Sequence, residues 1–239
     1  MIKTSNLTKR FGRLVAVNKL NLKIKKGEIF GFIGPNGAGK TTTIKMLTGI
    51  LAPTSGKIEI GGIDIQKEPV KAKQLIGYIP DDPYVYPELS GREFLYLVGR
   101  LFRVENLEKK IEKLPTIYKI ENIIDGPFKD YSRGNKQKLT ILAALLHQPQ
   151  VLIIDEPILG LDPWSAQVTI KLFREFAQKG GTIFVSTHTL SVAEAICERI
   201  GVIDEGKLIF EGTMEKLEKV VKEKDKHLEE LYLKLTSHD

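Results

Sequence analysis

A glycine-rich segment that follows an apolar run has the residue types needed to bind phosphate. Residues 34–41 match the pattern G-x-x-x-x-G-K-[ST] and directly follow Ile29–Ile33. The glycines let backbone N–H groups converge on phosphate oxygens, and the start of the next helix adds its positive dipole. Lys40 supplies charge and the Thr41 hydroxyl can reach Mg²⁺, whereas a simple tight turn would not need Lys-Thr at this place. We expect the ATP-binding residues here to be Gly34, Pro35, Asn36, Gly37, Ala38, Gly39, Lys40, Thr41 and Thr42.

Two adjacent acids follow a second apolar run. Asp155 and Glu156 come directly after Val151–Ile154. Carboxylates at the end of a buried parallel strand project from the carboxyl edge of the sheet, where a glycine-rich phosphate loop also holds its ligand. We expect Asp155 to hold Mg²⁺ through water and Glu156 to act as the base. The alternative, solvated acids at a strand end, fits less well because the preceding run is wholly apolar.

In their order along the chain, these and the remaining motifs resemble those of the ABC ATPase family, and the resemblance covers nearly the whole chain. Tyr131–Asn135 is similar to the family signature LSGGQ, and Leu159–Asp162 is similar to the D-loop. His188, in Ser-Thr-His, matches the switch histidine that follows a strand. The resemblance implies that Ser132 and Gly134 contact the γ-phosphate of an ATP held by another subunit, and that His188 contacts the γ-phosphate too.

Three of the site residues also have ordinary structural interpretations. Ser132 could be the N-cap of helix Arg133–Leu146, although a hydroxyl and exposed amides at a helix N-terminus also form an anion site. His188 alone could be a core histidine, but its place at the end of an apolar run favours the phosphate edge. Phe11 stands where the family usually has an aromatic residue that stacks on adenine, which is the favoured interpretation; the alternative is a core residue, because a single Phe between strands is often part of the core.

The chain also departs from the family pattern. Asp81 follows Ile76–Ile79 where the family most often has glutamine, and an acid there resembles exporter-type members. Because Asp81 is shorter than glutamine and charged, it is a candidate magnesium residue through water, and we expect it to serve coupling more than chemistry. Arg133, Asn135 and Leu159 replace a glycine, a glutamine and a common serine of the family motifs. None of these changes removes the phosphate ligand or the base, so the site is predicted to be catalytically intact.

The elements that must position these residues follow from the apolar patterning. Gly and Asn turns separate strand-like runs up to about residue 80, and one helical pattern begins after Gly39. From Ser90 a possible capping box, Ser90–Glu93, opens a helical region, and apolar runs then alternate with helices in a βαβ rhythm. The predicted strands are Ile2–Leu7, Leu14–Ile24, Glu28–Ile33, Lys57–Ile60, Ile76–Ile79, Val151–Ile154, Thr182–Ser186 and Ile200–Ile203, and the later helices are Pro163–Gln178 and Leu190–Glu198.

This pattern predicts an α/β core that a helical region splits in sequence. The resemblance implies a single ABC ATPase domain over residues 1–239, with a P-loop NTPase (RecA-like) core of parallel sheet and an antiparallel β subdomain, formed by residues 1–87 and 148–212. Residues 88–147, which we call the helical insert, should form an inserted α-helical subdomain. Residues 213–239 should form a C-terminal helical tail that packs back on the core.

Composition limits the cellular setting. The longest apolar runs are strand-sized, far below the run of about 20 residues that crosses a bilayer, and the N-terminus does not have the pattern of a secretory signal. We therefore expect a cytoplasmic protein, peripheral on the inner face of the cell membrane. The net charge is +6, but Lys and Arg are interspersed with Glu, so no nucleic-acid partner is expected. The single cysteine, Cys197, is interpreted as a core residue.

The resemblance implies an ATP-binding and ATP-hydrolysing subunit that dimerises around two ATP and drives an integral membrane permease subunit, with an exporter favoured. ATP and Mg²⁺ are the expected cofactors, and a second copy of the chain is the expected cassette partner. One alternative is a soluble member of the family that acts on nucleic acid or the ribosome. The helical insert is compact and lacks the sustained heptads of DNA-repair members, and the chain has one cassette where translation factors have two. A regulatory subunit that acts on a membrane protein without transport is the other alternative.

Overall fold

The computed structural model describes residues 1–222, 230, 232 and 233. Ten strands and eight α-helices are described in this part of the chain. In chain order they are β1 (Ile2–Phe11), β2 (Leu14–Ile24), β3 (Ile29–Ile33), α1 (Lys40–Leu47), β4 (Ser55–Ile60), β5 (Ile63–Asp64), α2 (Pro69–Gln74), β6 (Ile76–Ile79), α3 (Gly91–Leu101), α4 (Leu107–Lys113), α5 (Arg133–Leu146), β7 (Val151–Asp155), α6 (Pro163–Gln178), β8 (Thr182–Thr187), α7 (Leu190–Ile196), β9 (Arg199–Asp204), β10 (Lys207–Gly212) and α8 (Met214–Lys222).

The larger sheet brings the carboxyl ends of its central strands to one edge. Its strand order is β10-β9-β3-β8-β7-β6, and every pair is parallel except β9 with β10. All residues of β3, β7 and β8 are buried, which explains their continuous apolar runs, because helices cover both faces of such a sheet. The parallel register places Asp155 beside Ser186, so the ends of β7 and β8 lie together.

The smaller sheet is antiparallel, with strand order β2-β1-β4-β5. Its long hairpin pairs Ile2 with Ile24 at one end and Phe11 with Leu14 at the other, with register shifts between them. Apolar side chains of β1, β2 and β4 are buried together with α1 and with Phe30 and Phe32 of the larger sheet. The hairpin is thereby fixed against the strand that precedes the glycine-rich loop.

The helical insert contains α3, α4 and α5 between β6 and β7. Ser90 begins α3 with the predicted capping box: its hydroxyl accepts the Glu93 N–H, and the Glu93 carboxylate accepts the Ser90 N–H at 2.8 Å. Buried residues of α3 and α5 share one core with apolar residues of β7, β8 and α6. The insert is therefore packed onto the sheet through α5.

Several predicted boundaries were wrong. The predicted helix Leu190–Glu198 ends at Ile196, because Cys197 has extended backbone angles (φ −97°, ψ 138°) that lead into β9. The predicted strand Ile2–Leu7 continues to Phe11, and the short elements α2, α4, β5 and β10 were not predicted. Of the predicted tail helix, Met214–Lys222 is described, and most of residues 223–239 lie outside the described residues.

Candidate functional site

The glycine-rich loop joins the carboxyl end of β3 to the N-terminus of α1. Gly39 is the N-cap of α1 and has a φ of 107°, and a Cβ on it would lie 2.4 Å from the carbonyl oxygen of Ala16 in β2. Only glycine fits this left-handed position against a neighbouring strand. The Gly206 N–H donates to the Ala38 carbonyl at 3.0 Å, which also ties the loop to the β9–β10 turn. The loop is thus held on both sides before any ligand contacts it.

Lys40 lies within this loop with 7% of its surface exposed. Its Nζ donates to the Gly34 carbonyl at 2.6 Å and to the Pro35 carbonyl at 3.0 Å. Burial lowers the pKa of Lys40 from its usual value, and the nearby carboxylates of Glu156 and Asp155 oppose that shift. A phosphate would compete with the two carbonyls for the ammonium hydrogens and would satisfy a buried charge.

Thr41 and Asp155 bring a hydroxyl and a carboxylate together at the end of the loop. The Thr41 hydroxyl donates to Asp155 Oδ2 at 3.2 Å, and the Ser186 hydroxyl donates to Asp155 Oδ1. Asp155 is 5% exposed. Hard oxygen ligands beside a phosphate-binding loop fit Mg²⁺, which binds proteins through one or two such ligands and keeps several waters. The predicted magnesium residues Thr41 and Asp155 therefore lie side by side and offer the oxygen atoms that Mg²⁺ requires.

Glu156 is held by the two residues that end β8 and follow it. The Thr187 hydroxyl donates to Glu156 Oε2 at 3.0 Å, the His188 N–H donates to Oε1 at 2.9 Å, and His188 Nδ1 lies 2.6 Å from Oε1. Glu156 has a φ of 51°, which turns the chain sharply out of β7. This turn directs the Glu156 carboxylate towards the end of β8, so Glu156 and His188, predicted from separate motifs, are in direct contact.

Phe11 lies at the tip of the β1–β2 hairpin with 49% of its surface exposed. Phe11 pairs with Leu14 of β2. Two residues further along β2, the carbonyl of Ala16 lies against Gly39 of the loop. At about 3.3 Å per strand residue, this places the hairpin tip within roughly 7 Å, along the strand, of the contact with the loop. The ammonium of Lys9 lies 5.1 Å from the ring centroid. A half-exposed ring at this position is available for stacking and is not a core residue.

Ser132 and Gly134 lie in the first turn of the insert helix α5. The Ser132 hydroxyl accepts the Asn135 N–H at 3.3 Å and caps the helix, as predicted. A Cβ on Gly134 would lie 2.7 Å from the Gly160 carbonyl oxygen, so the first turn of α5 lies against the loop after β7. Among residues 1–222, no hydrogen bond joins Ser132 or Gly134 to residues 34–42. In the described part of the chain, these two predicted residues therefore lie beside the loop after β7 and share no hydrogen bond with the glycine-rich loop.

Asp81, the other candidate magnesium residue, has an ion-pair partner on the insert. Arg133 Nη2 donates to Asp81 Oδ1 at 3.1 Å. Burial, together with the charges of Asp155 and Asp81, raises the pKa of Tyr78 to about 12. Tyr78 thus lies within electrostatic reach of both acids, and Asp81 lies near the catalytic edge while bound to the first residue of α5.

Sequence reasoning missed the two hydroxyl residues that hold the acids, Ser186 and Thr187. Both lie at the carboxyl end of β8, and Asp155 pairs with Ser186 in the parallel register. The sequence contains a signal for them, because Ser-Thr ends an apolar run directly before His188. The relevant clue is that polar residues at neighbouring strand ends meet at one sheet edge.

A glycine-rich loop between a buried strand and a helix, with Asp-Glu at the end of a second parallel strand, defines the chain as a P-loop NTPase. The family model described as ABC transporter matches residues 17–159, which is more than half of the chain. The chain therefore belongs to the ABC transporter family. It is an ATP-binding subunit of that family and an ATPase.

Similar proteins agree with this assignment. The bacitracin transport ATP-binding protein of Bacillus licheniformis is 40% identical over 220 residues, which are 92% of this chain and 72% of the relative. The Nod factor export ATP-binding protein I of Burkholderia lata is 38% identical over 209 residues, 87% of this chain and 69% of the relative. A solved dimeric ATP-binding cassette in a post-hydrolysis state, bound to ADP and Pi, matches with a TM-score of 0.81 and 26% identity, over 90% of this chain and 99% of that chain.

Proposed function

We propose that two copies of this chain bind two ATP between them and use hydrolysis to drive a membrane permease that exports its substrate. The observation that carries the proposal is the separation of the two halves of the site. Lys40, Thr41, Asp155, Glu156 and His188 lie at the sheet edge. Ser132 and Gly134 lie on the insert, where the Ser132 hydroxyl caps α5 and Gly134 lies against Gly160. A second copy in two-fold arrangement supplies the missing half to each site, because a two-fold dimer makes every contact twice.

The chemistry follows from the positions of the side chains at the sheet edge. Phosphoryl transfer to water needs positioning and charge neutralisation more than covalent help. Lys40 would neutralise charge on the β- and γ-phosphates. Thr41 and Asp155 would hold Mg²⁺, which supplies further charge neutralisation when bound. Glu156 would orient and polarise the attacking water, and His188, in contact with Glu156, would face the γ-phosphate.

Phe11 and Ser132 would hold the two ends of the nucleotide. The half-exposed Phe11 ring beside the loop would stack on adenine, which buries apolar area without reading the base edge. At the other end, the Ser132 hydroxyl and the N–H groups near Gly134 would bind the γ-phosphate of the twin's ATP by charge-assisted hydrogen bonds. ADP lacks that phosphate, so hydrolysis would release the contact between the two copies.

The relatives support the membrane partner and the direction of transport. Their names describe bacitracin transport and Nod factor export, and the family is that of ABC transporters. No helix in the described part of the chain is long and apolar enough to span a bilayer, so we infer that a separate permease crosses it. The ATPase would lie on the inner face of the cell membrane. Nucleic acid is not proposed as a partner.

The division of the chain into a core and an insert supports coupling between ATP hydrolysis and movement of the permease. We propose residues 1–87 and 148–212 as the ATP-binding core, 88–147 as the insert and 213–239 as a tail. An apolar groove lies between core and insert, lined by the exposed Ile50 of the core and the partly buried Phe94, Val98 and Phe102 of the insert. Movement of the insert against the core would change the shape of this groove. A cytoplasmic segment of the permease seated there would follow that movement.

The test of the dimer uses Glu156→Gln, which should bind ATP and hydrolyse it slowly. Size-exclusion chromatography with light scattering should show a monomer without nucleotide or with ADP, and a dimer with ATP and Mg²⁺. Ser132→Arg in this background should block the dimer. Ser132→Ala should weaken it, and the matched control is Ser90→Ala, because both serines cap insert helices through the N3 backbone N–H and both changes cost about 1 kcal/mol of stability.

The outcomes separate the proposal from its alternatives. A dimer that forms equally with ADP, or that Ser132→Arg leaves intact, would show that another surface joins the subunits. Purification of the tagged wild-type chain from membranes should retain an integral membrane protein after nuclease treatment. Retention of nucleic acid or ribosomes in its place would favour a soluble member of the family.

A further inference from the structure

The first turn of α5 is joined to both loops that leave the catalytic edge beside it. Asp81, in the loop after β6, binds Arg133, the first residue of α5. In the loop after β7, Gly160 lies beneath the Arg133 side chain, since a Cβ on Gly160 would be 3.2 Å from Arg133 Cδ and 3.3 Å from Cγ. Arg133 therefore touches one loop with its guanidinium and the other with its aliphatic stem.

A second ion pair repeats this connection one turn further along the helix. Lys138 Nζ lies 3.0 Å from Asp162 Oδ2, and the Lys138 side chain is only 11% exposed. Asp162 also caps α6 by accepting the Ser165 N–H at 2.9 Å. The loop from Gly160 to Asp162 is thus clamped against α5 at two points, whereas the loop after β6 reaches α5 through Asp81.

The charge of Arg133 is at an unfavourable place for an isolated helix. The N-terminus of a helix carries positive partial charge, so a cation there is disfavoured. The first turn, Arg-Gly-Asn, contains no acid to offset it. Asp81 provides the compensating charge from outside the helix. Because this compensation comes from another loop, it favours one distance between the N-terminus of α5 and the end of β6.

We propose that Arg133 is a positioning residue for Ser132, and that its ion pair with Asp81 sets the orientation in which Ser132 meets the twin's phosphate. This inference rests on the proposed function of Ser132. Arg133 acts through the helix that it anchors and contacts no reacting atom in this role. Asp81 accordingly acts on the insert, which is the physical basis for coupling between the catalytic edge and residues 88–147.

A double-mutant cycle in the Glu156→Gln background measures the coupling. Half-exposed ion pairs are worth at most about 1 kcal/mol, which is up to about fivefold in an equilibrium constant. Each dimer contains two such half-sites, so Asp81→Asn or Arg133→Gln should each lower the ATP-dependent dimerisation constant by up to about 25-fold. The double variant should fall no further than either single variant. Arg133→Lys, which keeps the charge, should retain most of the dimer.

The control pair is Arg92 and Asp125, which lies wholly within the insert, is also solvent-exposed and is joined by two hydrogen bonds. Arg92→Gln and Asp125→Asn should lower thermal stability at least as much as the Asp81 and Arg133 variants and leave the dimerisation constant unaltered. If the variants of both pairs lower the dimerisation constant equally, Arg133 contributes only to the stability of the insert and is not a positioning residue. Additive losses at Asp81 and Arg133, or a stronger dimer in Asp81→Asn, would overturn the proposal.

A second readout does not depend on dimerisation. Amide hydrogen exchange in the monomer should speed up at Asn135 and Lys136, whose N–H groups donate to the Ser132 hydroxyl and carbonyl. The increase should be about the same in Asp81→Asn and in Arg133→Gln, without further increase in the double variant. Unchanged exchange would overturn the anchoring role even if dimers form. If exchange responds as expected and the Glu156→Gln parent makes no dimer with ATP, the proposed dimer fails and the anchoring of α5 stands.

Discussion

Glu156→Gln offers the sharpest test of the catalytic edge, because the structure shows that the substitution can be accommodated. Glu156 Oε2 accepts from Thr187, and Oε1 accepts from the His188 N–H. A glutamine carbonyl can take the Oε1 place, and its NH₂ can take the Oε2 place if the Thr187 hydroxyl rotates to accept. Packing and the φ of 51° remain the same, so the change removes the charge and the base and little else.

The expected loss is that of a positioned general base. Such a base contributes about 10²–10⁴ in rate, equivalent to roughly 2.7–5.5 kcal/mol of transition-state stabilisation. Turnover at saturating ATP should fall by that factor, while the ATP affinity measured by calorimetry stays within about threefold of wild type, since Lys40 and the loop are untouched. Glu156→Asp should also lose turnover, because a side chain shorter by about 1.5 Å cannot reach the Thr187 and His188 donors from the same backbone.

The matched control is Glu205→Gln. Glu205 also has a left-handed backbone, with a φ of 44°, but it is exposed in the β9–β10 turn. It should keep wild-type turnover. Turnover near the wild-type level in Glu156→Gln would remove Glu156 from the role of base. A parallel loss of ATP affinity and turnover would show that the carboxylate serves nucleotide binding and not the chemical step.

Two further predictions concern buried polar groups. Lys40→Ala should abolish most of the ATP binding that calorimetry measures. In the wild-type chain burial lowers the pKa of Lys40, so the ATP affinity should fall as the pH rises through that lowered pKa. Lys40→Arg should move this loss of affinity to higher pH. Unchanged affinity in Lys40→Ala would contradict the loop assignment. Gln137 is 1% exposed, and neither atom of its side-chain amide has a hydrogen-bond partner among the described residues. Gln137→Met should therefore raise the free energy of unfolding by about 1 kcal/mol or leave it unchanged. A clear drop in the melting temperature would show that the amide has a partner.

The sequence was enough to predict the fold class and the place of the catalytic edge. A loop that binds phosphate through its backbone needs glycines at fixed spacing, so residues 34–41 keep a recognisable pattern. The buried strands β3, β7 and β8 are apolar except at the ends of β7 and β8, so their runs stand out as well. Helix α6 was predicted with its observed bounds because Asp162 and Pro163 give a clear N-terminal signal. The roles of the individual site residues stay predictions.

Contacts between distant segments could not be read from the sequence. The ion pair of Asp81 with Arg133 joins residues 52 positions apart and depends on the angle at which α5 packs on the sheet. The hydroxyls of Ser186 and Thr187 become relevant only through the parallel register of β7 and β8. The shortest elements, such as the two-residue β5, carry too few residues for a periodic pattern.

The two helices proposed to face one ATP share an arrangement of charge that the fold alone does not require. Helix α1 begins with Lys40 and α5 with Arg133, and neither has an acid at its cap or in its first turn. In contrast, α3, α4 and α8 carry a glutamate in the first turn, which suits the positive end of the helix dipole. A cation at that end is unfavourable by about 0.3–1 kcal/mol. At α5 the Asp81 carboxylate already offsets the charge of Arg133 from outside the helix, whereas at α1 Lys40 is bound by two uncharged carbonyls. A triphosphate held between α1 of one copy and α5 of the other would therefore reverse the sign of the Lys40 term, while at α5 the Ser132 hydroxyl and the exposed amides would bind it.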